Sequence, residues 1–408
     1  MRPLAGLRII DLTVAIAGPV ATSLLADLGA EVIRVEPPFP RPLHVDIVPR
    51  MTGAPDRPYN RILSYNDLHR AKRAVTLDLS KTAGRDVLLR LVGVSDIVVE
   101  NMSPRVLPSL GLGYDALRAV KPDIVLASMP AFGATGPLRD RVSFGPGIDA
   151  MSGLAHLTGY PDRGPMQPAN YYCDYNAGAL AAFAVIAAIR HRDRTGEGQH
   201  IELAMLEGEL QVVGEALLDY TMNGRVQHST GNAHPSMAPH GVYQCAGDDR
   251  WIAIACEDDA QWQCLCSVIG RSAFAMHPRF ADVISRIHHR AEIDEIVSAW
   301  TRARPPHEAA ELLQAAGVPA GPVQLVTELL DDPQLRAREY VTIVPHPEAG
   351  PTPYARPAFT LSKTPTHTER HAPLYGQDTD YVLRELLGLS AEEVAALEAA
   401  GVTARSPL

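Results

Sequence analysis

Two short apolar runs, residues 7–13 (LRIIDLT) and 31–36 (EVIRVE), flank a helix-like stretch at 18–28. Strands joined through a helix lie side by side in parallel, with a right-handed crossover. This β-α-β unit commits the chain to a parallel sheet from its first residues. The alternation continues: strands are expected at 74–79, 96–101 and 123–129, with helices at 84–92 and 114–120. Strands alternating with helices mark an open α/β sheet. Ligands of such sheets sit beyond the carboxyl ends of the strands. Residues 13–18, Asn101 and 129–131 follow strand ends and are site candidates by position alone.

Further along, residues 37–59 hold seven prolines and read as an irregular loop. An apolar run at 177–189 reads as a buried helix, followed by a turn at 194–199 and a strand or helix start at 201–206. The character changes near 222–241, which is rich in Gly, His, Asn and Pro. Beyond it, a strand at 251–256 and helices at 259–269, 291–303 and 307–316 form a block with its own apolar content, at about 230–325. Such a block is large enough to be a smaller domain. An Ala/Glu-rich segment, 390–400, reads as a surface helix.

Composition narrows the function. The net charge of −10 argues against broad nucleic-acid binding, which needs a basic surface. A few local Arg and Lys residues can still hold an anionic small ligand. Five cysteines give no disulfide framework, and Cys264 and Cys266 lack the spacing of a zinc site, so free thiols in a reducing cytosol are expected. No continuous apolar run approaches the roughly 20 residues of a membrane span, and a cytoplasmic protein is the expectation. Gly111-Leu-Gly113 and Gly145-Pro-Gly147 are glycine-rich, yet neither forms a G-x-G-x-x-G between strand and helix. No Walker loop or G-x-S-x-G elbow is present. The β-α-β opening alone keeps a dinucleotide enzyme as a rival. Fifteen histidines include no arrangement that calls for a metal, and none is expected.

Asp174 stands at the head of the 177–189 run. One reading makes it the N-cap, its oxygen accepting from a backbone N–H in the first turn. The other makes it a nucleophile, held by packing and kept ionised by the positive helix end. Local sequence favours the cap. Lys72 and Arg73, before the strand at 74–79, read either as a solvated edge or as a phosphate clamp.

Residues 3–13 (PLAGLRIIDLT), 17–19 (AGP), 25–37 (LADLGAEVIRVEP), Lys72-Arg73 with 77–79 (LDL), 99–101 (VEN) and 110–114 (LGLGY) form a spaced set. The set continues through 132–133, 136–137, 152–153, Asp174 with Gly178, 194–199 (RTGEGQ), 317–323 (GVPAGPV) and 373–380 (PLYGQDTD). This set resembles the family III, or CaiB/BaiF, CoA-transferases. That group includes formyl-CoA and carnitine CoA-transferases and the related α-methylacyl-CoA racemases.

The resemblance implies an α/β fold with a Rossmann-like large domain built from both chain ends and a smaller α+β domain. The boundaries implied are 1–225, 226–325 and 326–408, with two chains interlocked as a homodimer. It implies a CoA-transferase that moves CoA from an acyl-CoA thioester to a free carboxylic acid. Asp174 would form an aspartyl anhydride and then an aspartyl-CoA thioester. Positions matching the family's CoA contacts are Ile16 and Ala17, Leu77, Asp78, Leu79 and Ser80, and Asn101, Met102 and Ser103. Arg105 lies close by, and Arg34, Lys72 and Arg73 add positive charge. CoA and acyl-CoA enter as substrates, with no tightly bound cofactor. In some members a glycine loop of the small domain shields intermediates; the loop here, 231–241, lacks a glycine run. The alternatives are an acyl-CoA racemase or isomerase working by α-proton exchange, and a catalytically inactive CoA-binding paralogue. Racemases use a histidine–aspartate pair, and residues 142–149 (VSFGPGID) hold no histidine; His156 is out of register. The acyl groups are not legible, although succinyl-CoA is the donor by family habit.

Overall fold

The computed structural model describes residues 2–39, 57–169 and 171–407. Of the proline-containing stretch at 37–59, residues 40–56 lie outside the described residues. The described chain forms two compact units, one of residues 1–154, 167–225 and 336–408, the other of 155–166 and 226–335.

The first unit is built on a six-stranded parallel sheet. Its strands are β1 (Arg8–Asp11), β2 (Glu31–Glu36), β3 (Arg73–Thr76), β4 (Ile97–Glu100), β5 (Val125–Ser128) and β6 (His200–Glu202). Their order is β3-β2-β1-β4-β5-β6, the doubly wound arrangement in which the chain reverses direction between β1 and β4. All strands but the exposed edge strand β6 are largely buried on both faces, so their side chains divide by parity. Ile9, Val32, Ile97, Val99, Val125 and Ala127 enter one core. Ile10, Ile33, Val98 and Leu126 enter the other.

Against the first core pack α1 (Ala17–Asp27) and a 24-residue helix. Against the second pack α2 (Thr82–Gly93), α3 (Tyr114–Val120) and the chain's final segment. Helix α4 (Gly145–Met151) precedes the long helix α5 (Tyr172–Thr195), and α6 (Met205–Leu210) and α7 (Gly214–Asn223) follow β6. Helix α5 is longer than its apolar run suggests. It is long and apolar enough to cross a membrane, but one face is buried in the core. Its partner there is α1, and the contact is made of small residues: Ala17 and Ala21 against Ala177, Gly178 and Ala181. A Cβ at Gly178 would lie 2.7 Å from Val20 Cβ and 2.8 Å from Ala17 O. The helices approach as closely as hydrogen in place of a methyl allows.

The chain's late residues seal the sheet. Asp378 N–H donates to Ala74 O (2.8 Å) and the Asp378 carboxylate accepts from Ala74 N–H (3.0 Å). Asp78 N–H donates to Val402 O, and Thr76 Oγ1 exchanges hydrogen bonds with Ala404 O (2.7 Å) and N–H (2.8 Å). The outer edge of β3, which would otherwise offer bare N–H and C=O groups, is thereby occupied. Helix α11, labelled below in chain order, closes this segment.

The second unit holds a three-stranded antiparallel sheet, β7 (His240–Gln244), β8 (Trp251–Ala255) and β9 (Ala320–Val323), in order β7-β8-β9. Helices α8 (Asp259–Val268), α9 (Arg290–Thr301) and α10 (Pro306–Ala315) cover it around Trp262, Phe280, Ile293, Val297 and Leu313. The loop at 231–241 is pinned through its carbonyls: Arg286 Nε donates to Ala238 O (2.8 Å) and an Arg290 guanidinium nitrogen to His234 O (2.7 Å). Back in the first unit, β10 (Val341–His346) and β11 (Gly350–Ala355) form a hairpin, and α11 (Ala391–Ala399) is started by a Ser390/Glu393 capping box.

Candidate active site

The crevice of a doubly wound sheet opens where neighbouring strands lead to opposite sides, here between β1 and β4. A reciprocal pair spans that point. Asn101, just past β4, accepts from Val14 N–H (2.7 Å) and donates from Nδ2 to Val14 O (2.8 Å). The β1–α1 turn is held from below by Asp11, which accepts from Thr13 N–H (2.9 Å) and Thr13 Oγ1 (2.5 Å). Gly18 leaves room for this turn, since a Cβ there would lie 2.4 Å from Thr13 Cβ. Ala15 has a left-handed backbone (φ 58°), a conformation costing a residue with a Cβ about 1–2 kcal/mol. Such strain concentrates at functional sites.

Asp174 occupies the third position of α5 and is 7% exposed. The cap reading of Asp174 fails: the N-cap is Tyr171, also left-handed (φ 52°), and it makes no side-chain cap. The carboxylate turns instead to neighbouring elements. It accepts from the Ala17 N–H at the start of α1 and lies 3.6 Å from the Cys173 thiol. The opening residue of α4 supplies the remaining space, because a Cβ at Gly145 would stand 2.1 Å from Asp174 Oδ2. Asp174 therefore sits where the amino ends of α1, α4 and α5 converge. Burial nevertheless pushes its pKa above the ordinary aspartate value. The Cys173 thiol and the Ala17 N–H pull it down, and Asp149 pushes it up. A buried carboxylate with few donors is a stronger base, and so a better oxygen nucleophile, than one in water.

The positions matching CoA contacts fall into two groups. Ile16 and Ala17 open α1 beside Asp174, and Asn101, Met102 and Ser103 follow β4 at the switch point, with Arg105 exposed just beyond. Leu79 and Ser80 follow β3 and reach the surface. The second group is engaged internally. Lys72 is 0% exposed. Its ammonium donates to Asp11 (3.0 Å), Thr22 Oγ1 (2.8 Å) and Pro19 O (3.1 Å) and lies 3.0 Å from His69 Nδ1. Burial lowers its pKa to about 8 against the pull of Asp11. Lys72 is thus the counter-ion of the β1–α1 turn, neither a solvated edge nor a phosphate clamp. Arg34 donates to Thr13 O (2.8 Å) in the same network. Arg73 is held by Glu31 (3.0 Å) and Asp378 (3.1 Å) and stacks on Tyr381. Leu77 is core, and the Asp78 carboxylate binds Ser80 N–H (3.0 Å) and Oγ (2.6 Å).

Sequence reading missed three residues around Asp174. Gly145 was noted only as part of a glycine-rich stretch, and its function is spatial. Asp149 on α4 and Glu209 on α6 are buried carboxyls. On amphipathic helices such residues are ordinarily solvated, so pattern alone carries no signal for them. A further set lines a small cavity of about 60 Å³ at the ends of β4, β5 and β6: Glu100, Ser128 and His200, with His200 Nε2 and Ser128 Oγ 2.9 Å apart.

A doubly wound sheet with a buried carboxylate at its crevice, plus a small antiparallel unit, defines an α/β protein of the class that binds ligands at the carboxyl ends of its strands. Comparison with known proteins narrows it. The pattern of CoA-transferase family III matches residues 4–379. A succinyl-CoA–D-citramalate CoA-transferase of Chloroflexus aurantiacus is 34% identical over 398 residues, covering 98% of this chain and 97% of the relative. A succinate–glutarate CoA-transferase of Agrobacterium fabrum is 33% identical over 384 residues, covering 94% and 96%. The crystal structure of a CaiB/BaiF family protein from Brucella suis superposes with a TM-score of 0.82 at 30% identity, over 94% of this chain and 99% of that one. The chain belongs to CoA-transferase family III. It is an enzyme that transfers CoA between acyl-CoA thioesters and acids.

Proposed function

We propose that this enzyme works by covalent catalysis through Asp174. A carboxylate oxygen of Asp174 attacks the donor thioester carbonyl, the C–S bond breaks, and CoA leaves as thiolate from a mixed anhydride. The thiolate attacks Cγ of Asp174, the anhydride C–O bond breaks, and the donor acid departs as carboxylate. An acceptor carboxylate then attacks the aspartyl thioester. The thiolate returns to the acceptor's acyl carbon, freeing the new acyl-CoA and restoring Asp174. The carboxylic acids exchanged are of similar basicity, so the net conversion of one acyl-CoA into another is nearly thermoneutral, and covalent catalysis divides it into smaller steps. The Ala17 N–H beside the carboxylate is placed to stabilise oxyanions. The observation that carries this reading is a carboxylate buried at the switch point with only two donors and with the space at Gly145 open to it.

The CoA moiety is assigned to the β1–α1 turn, Asn101 to Ser103, Arg105, Leu79 and Ser80. Dicarboxylic acids, with succinyl-CoA as donor, are the first substrates to test, by analogy with the named relatives. Proton exchange at an α-carbon is not supported. Residues 142–149 supply no histidine to pair with Asp174, and His156 belongs to the other unit. A homodimer, interlocked as the resemblance implies, is supported by apolar side chains left in the open. Phe183 on α5 is 72% exposed, and Leu217, Leu218, Tyr220 and Met222 on α7 are also exposed. Clustered exposed apolar side chains mark interaction surfaces on proteins of this kind.

The test is a panel of acyl-CoA donors against dicarboxylic, hydroxy and aromatic acids, with and without Asp174→Asn. New thioesters from the native enzyme, none from the variant, and a hydroxylamine-sensitive mass increase on Asp174 are expected. Transfer by the Asp174→Asn enzyme at the native rate overturns the assignment. Sedimentation at micromolar concentration reads the dimer.

A further inference from the structure

Behind Asp174 lies a second layer of acid. Asp149, on α4, is 1% exposed, and Glu209, on α6, is 0% exposed. Among the described residues no donor meets Asp149 or Glu209 at full bonding geometry; the Asn176 amide beside Glu209 and the Cys173 thiol beside Asp149 are their weak partners. Isolated buried carboxylates are expensive, costing several kcal/mol each before any relaxation. Folded proteins tolerate unpaired ones rarely, and mostly where they serve a function. Helices α4 and α6 both pack on α5 and on each other, which brings the two carboxyls toward the first turn that carries Asp174.

The coupling among them is direct. Asp149 acts on Asp174, on Glu209 and on the Cys173 thiol, and Glu209 acts on Cys173 as well. Cys173 stands between the layers, 3.3 Å from Gly145 O and 3.6 Å from Asp174 Oδ2. Burial and these acids hold it firmly as a thiol, so it serves as a hydrogen-bond donor and gives up no proton. The other groups around Asp174 do not cancel the effect. Helix α1 presents only backbone N–H groups there, with no charged residue in its first turn. Tyr175, on α5 itself, is a neutral phenol raised by burial, by Asp67 and by Asp174, with Arg70 pulling the other way. Glu207 of α6 is exposed, β5 carries no charge, and His200 and Glu202 of β6 face Ser128 and Ala134 N–H. Among the described residues no cation acts on Asp174 or Glu209.

We propose that Asp149 and Glu209 are positioning residues for the transfer reaction: buried acids without a counter-cation that repel the Asp174 carboxylate and so drive it toward the acyl carbon. The inference rests on the reading of Asp174 as nucleophile. The physics is ground-state destabilisation. An ionised Asp174 beside two further acids is relieved when its charge passes to the departing CoA thiolate. Formation of the neutral anhydride therefore removes a repulsion that the resting enzyme contains.

Asp149→Asn and Glu209→Gln remove the acids and keep their shape. With aspartate 13C-labelled at its carboxyl, Asp174→Asn identifies the Asp174 signal by its loss. In each neutral variant the titration midpoint of Asp174 should fall, by tenfold or more in proton concentration. The acid limb of kcat/KM should move to lower pH by the same amount, and the plateau rate should drop. A second readout is stability. Burial raises the Glu209 pKa in the folded state above 4.5, so ionising it costs the fold stability as pH rises through that window. Glu209→Gln should therefore unfold at a higher temperature than the native enzyme at pH 7, and the gain should vanish below pH 4.5. An Asp174 midpoint unchanged in both variants overturns the proposal. A midpoint that moves while the acid limb stays fixed overturns the nucleophile reading instead, and the catalytic role of the two acids with it.

Discussion

Gly145 shows how a residue without a side chain can define a site. Its missing Cβ is the volume that the Asp174 carboxylate occupies, 2.1 Å from where a methyl would stand. The collision in Gly145→Ala falls on a side-chain oxygen and on the Cys173 sulfur at 3.2 Å, not on backbone. The carboxylate would swing aside while the fold persists. We expect a loss of about 100-fold in kcat/KM, the usual effect of a roughly 1 Å misplacement at a reacting atom. The melting temperature should change little. A large fall in melting temperature together with full activity would contradict this account. At this scale the sequence was legible only in part. Asp174 stood out through the resemblance, because an aspartate heading a helix is otherwise read as a cap. Lys72 looked like a ligand-binding cation because a sequence does not reveal that its partner, Asp11, lies across two strands. Asp149 and Glu209 gave no signal at all, since burial of a carboxyl is decided by which helices pack together.

Among the elements, the crossing of α1 and α5 does the most to position the site. It joins the Ala17 N–H to the Asp174 carboxylate, and its closeness depends on Gly178. Here the obstacle to a methyl is Val20 Cβ and the Ala17 carbonyl, on a packed helix with little freedom to move. Gly178→Ala should cost about 1–3 kcal/mol of stability by overpacking, read by urea unfolding. It should also weaken transfer, because separating the helices draws Ala17 N–H away from the carboxylate. Unchanged stability would mean that the helices part without penalty. The elements themselves were readable. The strands at 7–13, 31–36 and 96–101 and the helices at 114–120 and 259–269 lie within a few residues of expectation, because each has a clear hydrophobic period. The ambiguous segment at 201–206 proved to be both, a short strand and then the start of α6.

For the whole molecule, the parallel sheet was legible and its strand order was not. Local pattern reports that a segment is a strand; which strand lies beside it depends on contacts far apart in sequence. The return of the late residues to β3 is such a contact, joining Ala74 to Asp378 and Thr76 to Ala404. Deleting residues 376–408 should leave that edge bare. We expect the truncated chain to accumulate in the insoluble fraction. In the intact enzyme, hydrogen exchange should protect the Ala74 and Ala404 amides as strongly as those of β1. Fast exchange at both positions would show the seal to be loose.

The same seal sets a timetable for synthesis. A ribosome adding ~5–20 residues per second needs tens of seconds to travel from residue 76 to residue 404. Throughout that interval the first-made half of the sheet waits with one flank unguarded, adhesive to any neighbouring nascent chain. Slower translation or crowded polysomes should therefore lower the yield of active enzyme, and a chaperone that shelters early strands should restore it.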